Sequence, residues 1–122
     1  MGMDDVKPGL SAELDVEVTA AMTINRTGRD GADVLSTPSL LDLMERCSIE
    51  VADPHLPADS VTVGYAVDGL RHLAPTLLGG RLKVRSELTE VNGKRLTFVI
   101  EAFEGDKKIG VATHKRAVIS GD

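Results

Sequence analysis

Few side chains in this sequence could perform nucleophilic or proton-transfer chemistry. They are one thiol, Cys47, three imidazoles, His55, His72 and His114, and a scatter of hydroxyls and carboxylates. Cys47 falls on an apolar helical stripe with no base beside it, which makes it a small core residue rather than a nucleophile. The histidines lack close metal-ligand spacing, so neither a zinc nor an iron site is expected. No glycine-rich loop follows a strand and opens a helix, which removes the nucleotide-binding fingerprints. What remains is Thr37 at a helix start, Glu45 two turns along, and His72 at the end of a long strand. A hydroxyl, a carboxylate and an imidazole can together carry general acid–base work. Each also has a plainer reading: Thr37 as a helix N-cap, Glu45 as a solvated flank residue, His72 as a hydrogen-bonded strand end. His114 and Arg116, two positions apart on the last strand, read as part of a polar outer face.

The elements that must position these groups can be read from periodicity and punctuation. AELDVEVTA alternates from Ala12 to Ala20, with Leu14, Val16 and Val18 on one face and Glu13, Asp15 and Glu17 on the other, which predicts a half-buried strand. The polar stretch MTINRTGRDGAD, with Gly28 and Gly31, predicts a mobile loop. A helix then begins with Thr37 as N-cap and Pro38 as N1 and runs until Asp53 and Pro54 stop it. Leu40, Leu43, Met44, Cys47 and Val51 form its apolar stripe, and Glu45 lies at the margin beside Leu41, Ser48 and Ala52. The rest is strand-rich. Residues 60 to 73 make a long strand that Gly64 and Gly69 should bend or bulge. RLKVRSELTEV from Arg81, KRLTFVIEAFE from Lys94 and KKIGVATHKRAVIS from Lys107 follow, with Asn92-Gly93 and Gly105-Asp106 as turns. The order predicts an α+β fold, a five-stranded antiparallel sheet packed on one helix. One helix on such a sheet makes a thin core with open edges, which a homodimer would complete.

Length and composition agree and exclude several partners. A chain of 122 residues supports one core. We read residues 1–9 as a loose leader ending in Pro8-Gly9 and 10–122 as a single domain. The net charge of −5 and the scarcity of rings (Tyr65, Phe98 and Phe103) argue against nucleic acid. A lone cysteine excludes an internal disulfide and fits a reducing compartment. No apolar run approaches the roughly 20 residues that span a bilayer. The start MGMDDVKPG has neither a basic nor an apolar targeting region, and Val6 stands where a myristoylation signal requires Ser or Thr. A cytoplasmic protein without membrane partners is expected.

Three segments carry a family resemblance: the helix TPSLLDLMERCSIE, the strand and loop LRHLAPTLLGGRLKV, and the ending GVATHKRAVI. Together they resemble the hot-dog-fold thioesterases, in the group typified by fluoroacetyl-CoA thioesterase, from about Leu35 to Ile119. The resemblance implies a hot-dog fold and a homodimer with active sites at the subunit interface. It implies no cofactor and no metal. It also implies a catalytic set of Thr37, Glu45 and His72, matching a Thr at the helix start, a Glu eight positions later and a His before an Ala-x-Thr loop. Gly64 and Arg116 match substrate-binding positions of the family, Arg116 within the pattern Thr113-His114-x-Arg116-Ala117-Val118. In these roles Glu45 would activate water or attack the acyl carbon, His72 would handle the proton, and Thr37 would donate to the oxyanion. The segment TGRDGADVLS ahead of the helix has no ring where the fluoroacetyl enzyme places an aromatic lid, so the acyl group is not expected to be gripped by one.

The reading that follows is an acyl-CoA thioesterase acting on a short or medium acyl thioester. The rival from another class is a non-catalytic acyl-CoA or small-ligand binding module. A dehydratase or isomerase on the same fold is a third, and the Thr37 and Glu45 pattern speaks for the thioesterase.

Overall fold

The computed structural model describes residues 3–25 and 28–120; Met1 and Gly2 of the leader, Arg26 and Thr27 of the pre-helix loop, and Gly121 and Asp122 lie outside them. Five strands, β1 (Ser11–Glu17), β2 (Ser60–His72), β3 (Arg81–Asn92), β4 (Arg95–Glu104) and β5 (Lys107–Ser120), form one antiparallel sheet in the order β1-β3-β4-β5-β2. One α-helix among the described residues, α1 (Thr37–Ala52), lies across its inner face. Short 3-10 turns at Ala20–Met22 and Asp53–His55 flank the helical region.

Alternation in the sequence explains the sheet. Ala12, Leu14 and Val16 of β1 turn inward while Glu13, Asp15 and Glu17 stay exposed. Leu82, Val84, Ser86 and Leu88 of β3, with Leu96, Phe98, Ile100 and Ala102 of β4, fill the buried face. Gly93 and Gly105 take the positive φ that the two hairpin turns require, at 62° and 60°. The irregularities expected in β2 fall between Gly64 and Ala66 and between Asp68 and Arg71, where the register against β5 shifts. Val6, read as part of a loose leader, is buried, and the Gly9 N–H donates to the Leu88 carbonyl beside β1.

Leu40, Leu43, Met44, Cys47 and Val51 of α1 are buried on the sheet. Cys47 donates weakly to the carbonyls of Ala12 (3.3 Å) and Val84 (3.4 Å), and burial pushes its thiol up to about 11. Ser48 and Ser86 share a buried hydrogen bond of 2.9 Å, so the polar pair is satisfied across the layer. The helix cap is shifted by one residue from the expectation: Ser36 is the N-cap and accepts from the Ser39 N–H at 3.1 Å, while Thr37 is the first helical residue. Both types can cap, but extended backbone at Ser36 places its oxygen over the first turn.

His114 and Arg116 do not belong to a polar outer face. They are directly opposite Phe98 and Leu96 on β4, so they point inward with those buried side chains and are 1% and 5% exposed. Among the described residues no helix is long and apolar enough to cross a membrane.

Candidate functional site

α1 runs against the direction of β2, and this alignment sets two clusters. Near the helix start, a Cβ on Gly110 would meet Leu40 Cδ2 at 2.8 Å, so helix and β5 approach closely there. Gly110 is the register partner of His72, which therefore lies within reach of the first helical turn. Thr37 Oγ1 and His72 Nδ1 share a hydrogen bond of 2.8 Å. With the cap held by Ser36, the Thr37 hydroxyl is available for this contact. The other ring nitrogen, Nε2, is buried and has no hydrogen-bond partner among the described residues. Burial lowers the His72 pKa below its ordinary 6.5, which favours the neutral ring at pH 7.

This pair opens on a hollow of about 320 Å³ lined by Ile24, Val34, Leu35, Thr37, His72, Ala74 and Pro75. Its walls are built from three chain segments tied by main-chain hydrogen bonds. Ile24 N–H donates to the Val34 carbonyl (3.0 Å), Ser36 N–H to Met22 (2.8 Å), and Leu35 N–H to Thr76 (2.8 Å). The loop ahead of the helix, read from sequence as mobile, is thus stitched to the loop after β2. Asn25 adds to this order, its Oδ1 accepting from the Gly28 and Arg29 N–H groups at 2.7 and 3.1 Å.

Glu45 belongs to a second cluster. It is half-buried at the margin of the apolar stripe, and eight residues of helix separate it from Thr37 by about 12 Å along the axis. It faces Gly64 instead: a Cβ there would lie 3.2 Å from Glu45 Oε2 and 3.3 Å from Arg116 Nη1. Gly64 is opposite Arg116 in the sheet register. The guanidinium is held by Thr62, Nε donating to its Oγ1 at 2.8 Å and Nη2 to its carbonyl at 3.1 Å. Thr62 in turn donates from Oγ1 to Asp53 Oδ1 at 2.7 Å and from its N–H to Asp53 Oδ2 at 3.2 Å.

The structure thus joins Thr37 to His72 and gathers Glu45, Gly64 and Arg116, with the two groups apart. Sequence reasoning missed Thr62 and Asp53, whose only signal was an acidic residue at the helix end. It also missed His114 as an interior group. His114 has both ring nitrogens buried without partners among the described residues, and burial, with Arg116 nearby, lowers its pKa to about 4.

Comparison with known proteins places this geometry in context. Residues 18–122 match the family model described as fluoroacetyl-CoA-specific thioesterase. The chain is 34% identical over 87 residues to the fluoroacetyl-CoA thioesterase of Streptantibioticus cattleyicolor, a match covering 71% of this chain and 62% of that protein. The chain therefore spans about three fifths of the length of the curated relative it matches. A mutant of the fluoroacetyl-CoA-specific thioesterase in complex with fluoroacetate and CoA superposes with a TM-score of 0.84 at 28% identity, covering 94% of this chain and 96% of that one. A hot-dog-like protein from Thermanaerovibrio acidaminovorans gives a TM-score of 0.83 at 23% identity over 93% of this chain and 83% of its own. The sheet wrapped on one long helix is the hot-dog fold.

Proposed function

Since the chain belongs to the fluoroacetyl-CoA-specific thioesterase family, we propose that it is an acyl-CoA thioesterase, hydrolysing a short or medium acyl thioester to the free acid and CoA. The observation that carries this reading is the Thr37–His72 hydrogen bond at the wall of an apolar hollow. Beyond Thr37 and His72 the hollow is lined by Ile24, Val34, Leu35, Ala74 and Pro75, with no Phe, Tyr or Trp, which supports an aliphatic acyl group as its occupant.

The hydrogen bond supports the roles assigned to Thr37 and His72. With His72 Nδ1–H donating to Thr37 Oγ1, the Nε2 lone pair is free to accept a proton and the Thr37 hydroxyl is free to donate to the oxyanion. Glu45 supplies the carboxylate, either attacking the acyl carbon or orienting water for that attack. Along the water route, the oxygen adds to the carbonyl and His72 takes its proton. The C–S bond then breaks, and His72 returns the proton to the departing sulfur. Gly64 and Arg116 border Glu45 and complete the substrate-facing surface.

A carboxylate about two helical turns from the imidazole cannot serve the same acyl carbon, so this mechanism needs a second subunit. Edge strand β2 has a sheet neighbour on one side only and carries exposed Val61, Val63, Tyr65 and Val67. Val67 is paired with the buried His114 and is nonetheless 38% exposed, so the inner face is uncovered at this edge. These features support a homodimer in which two β2 strands pair antiparallel about a twofold axis. Positions 64 and 72 are equidistant from Asp68. An axis near Asp68 therefore sets Gly64, with Glu45 beneath it, against His72 of the partner subunit. The buried thiol of Cys47 supports a reducing, cytoplasmic setting.

The test is a screen of acyl-CoAs of graded length and branching, read by thiol release, with wild type, Glu45→Ala and His72→Ala. Turnover in wild type that both variants lose while remaining folded supports the proposal. Binding of CoA esters without turnover at any length contradicts it.

A further inference from the structure

We propose that Arg116 is a positioning residue for Glu45, its guanidinium locked by Thr62 and Asp53 so that Nη1 is presented to the carboxylate across the notch left by Gly64. The inference rests on the reading of Glu45 as the reacting carboxylate, and it assigns Arg116 a task other than contact with CoA.

Four observations carry it. Arg116 is 5% exposed. A guanidinium so far from water must be held by fixed partners, and it is poorly placed to meet the phosphates of a solvated nucleotide tail. Next, the hydrogen bonds have a fixed direction. Asp53 accepts both the hydroxyl proton and the N–H of Thr62, so Thr62 Oγ1 turns its lone pair to Arg116 Nε, while Nη2 donates to the Thr62 carbonyl. Two edges of the planar fork are thereby committed, and its orientation with them. Third, Nη1 and Glu45 Oε2 both lie within 3.3 Å of the position a Gly64 Cβ would take. A side chain at 64 would crowd both groups, each of which would have to give by a few tenths of an ångström. Finally, Asp53 and Glu45 are the two carboxylates whose charges act on the guanidinium. Both belong to the helical region, Asp53 just beyond the C-terminal end of α1 and Glu45 two turns earlier. The cation sits between a structural acid and the reacting one.

The fixed guanidinium acts on the nearby carboxylate through its charge, which biases the orientation of a side chain at a helix margin, and the gain appears in turnover rather than in substrate affinity. The experiment compares steady-state kinetics on the best acyl-CoA for Arg116→Gln, Arg116→Lys, Thr62→Val, Thr62→Ser, Glu45→Gln and the double variant Thr62→Val with Glu45→Gln, each checked for folding by thermal melting. We expect kcat to fall about 100-fold in Arg116→Gln and about tenfold in Thr62→Val, with KM within about twofold of wild type. Thr62→Ser should recover most of the loss, since it keeps the hydroxyl relay. Arg116→Lys should fall between Arg116→Gln and wild type. The double variant should be no slower than Glu45→Gln alone, because Thr62 acts through Glu45. A large rise in KM with kcat retained in Arg116→Gln would instead identify a direct CoA contact and overturn the proposal. Additive losses in the double variant would overturn it as well. Should Arg116→Gln fail to fold, the Thr62 pair and the double variant decide the matter alone. Full activity in Glu45→Gln would refute the thioesterase roles themselves, a failure distinct from a loss in Glu45→Gln with none in Thr62→Val.

Discussion

The Thr37 hydroxyl and His72 Nδ1 lie 2.8 Å apart, joining the first residue of the helix to the last residue of β2 across 35 positions of sequence. The contact exists because Ser36, and not Thr37, satisfies the helix start.

That division of labour separates stability from activity. Ser36→Ala should lower unfolding free energy by about 1 kcal/mol, the usual worth of an N-cap, and leave thioester hydrolysis within about twofold of wild type. Thr37→Val should do the reverse, costing at least about 100-fold in kcat through loss of an oxyanion donor and of ring orientation, with the denaturation midpoint nearly unchanged. Urea denaturation and acyl-CoA kinetics on the two variants check both halves.

His72 sets the acidic limit of the reaction. Burial holds its pKa below 6.5, so the neutral base is the dominant form at pH 7 and is lost only as pH falls through that lowered value. The acid limb of kcat/KM should therefore have its midpoint below 6.5, coinciding with the His72 ring titration followed by NMR. A ring that titrates above 7 contradicts the assignment.

His114 makes the fold itself pH-dependent. Its folded pKa of about 4 lies below the ordinary 6.5 of the unfolded chain, so the unfolded state binds the proton first as pH falls. The stability is fully present above about 6.5 and is lost as pH falls through about 4, a swing of about 3 kcal/mol from this one group. His114→Leu should flatten the dependence of the urea midpoint on pH between 7 and 4. An unchanged slope would show that the imidazole does not stay neutral in the folded protein.

Much of this fold is legible in the sequence because it is local. Alternation over β1 and β3, the turn at Asn92-Gly93 and the stop at Asp53-Pro54 each depend on neighbouring residues alone. The phase of β5 is not local. Ala112, His114, Arg116 and Val118 compete with Val111, Thr113, Lys115, Ala117 and Ile119, and the second set is the more apolar of the two. Only pairing with Leu96, Phe98 and Ile100 of β4 turns the histidine and arginine inward. The site shows the same contrast. Residue types and a family pattern singled out Thr37, Glu45 and His72, but their division into two clusters depends on how the helix crosses β2 and β5, and no spacing along the chain encodes that crossing. Thr62 escaped notice because a threonine in a strand is unremarkable until Asp53 and Arg116 are seen on either side of it.

The central claim, that Glu45 of one subunit works with Thr37 and His72 of the other, is tested most directly by subunit complementation. Glu45→Ala and His72→Ala are each inactive as homodimers under this account. Unfolded together and refolded as an equal mixture, half of the dimers are mixed, and each mixed dimer contains one intact site built from the two unmutated residues. The mixture should recover about a quarter of wild-type acyl-CoA hydrolysis. A mixture that forms mixed dimers, shown by mass spectrometry of the intact assembly, and yet stays inactive would contradict the shared site.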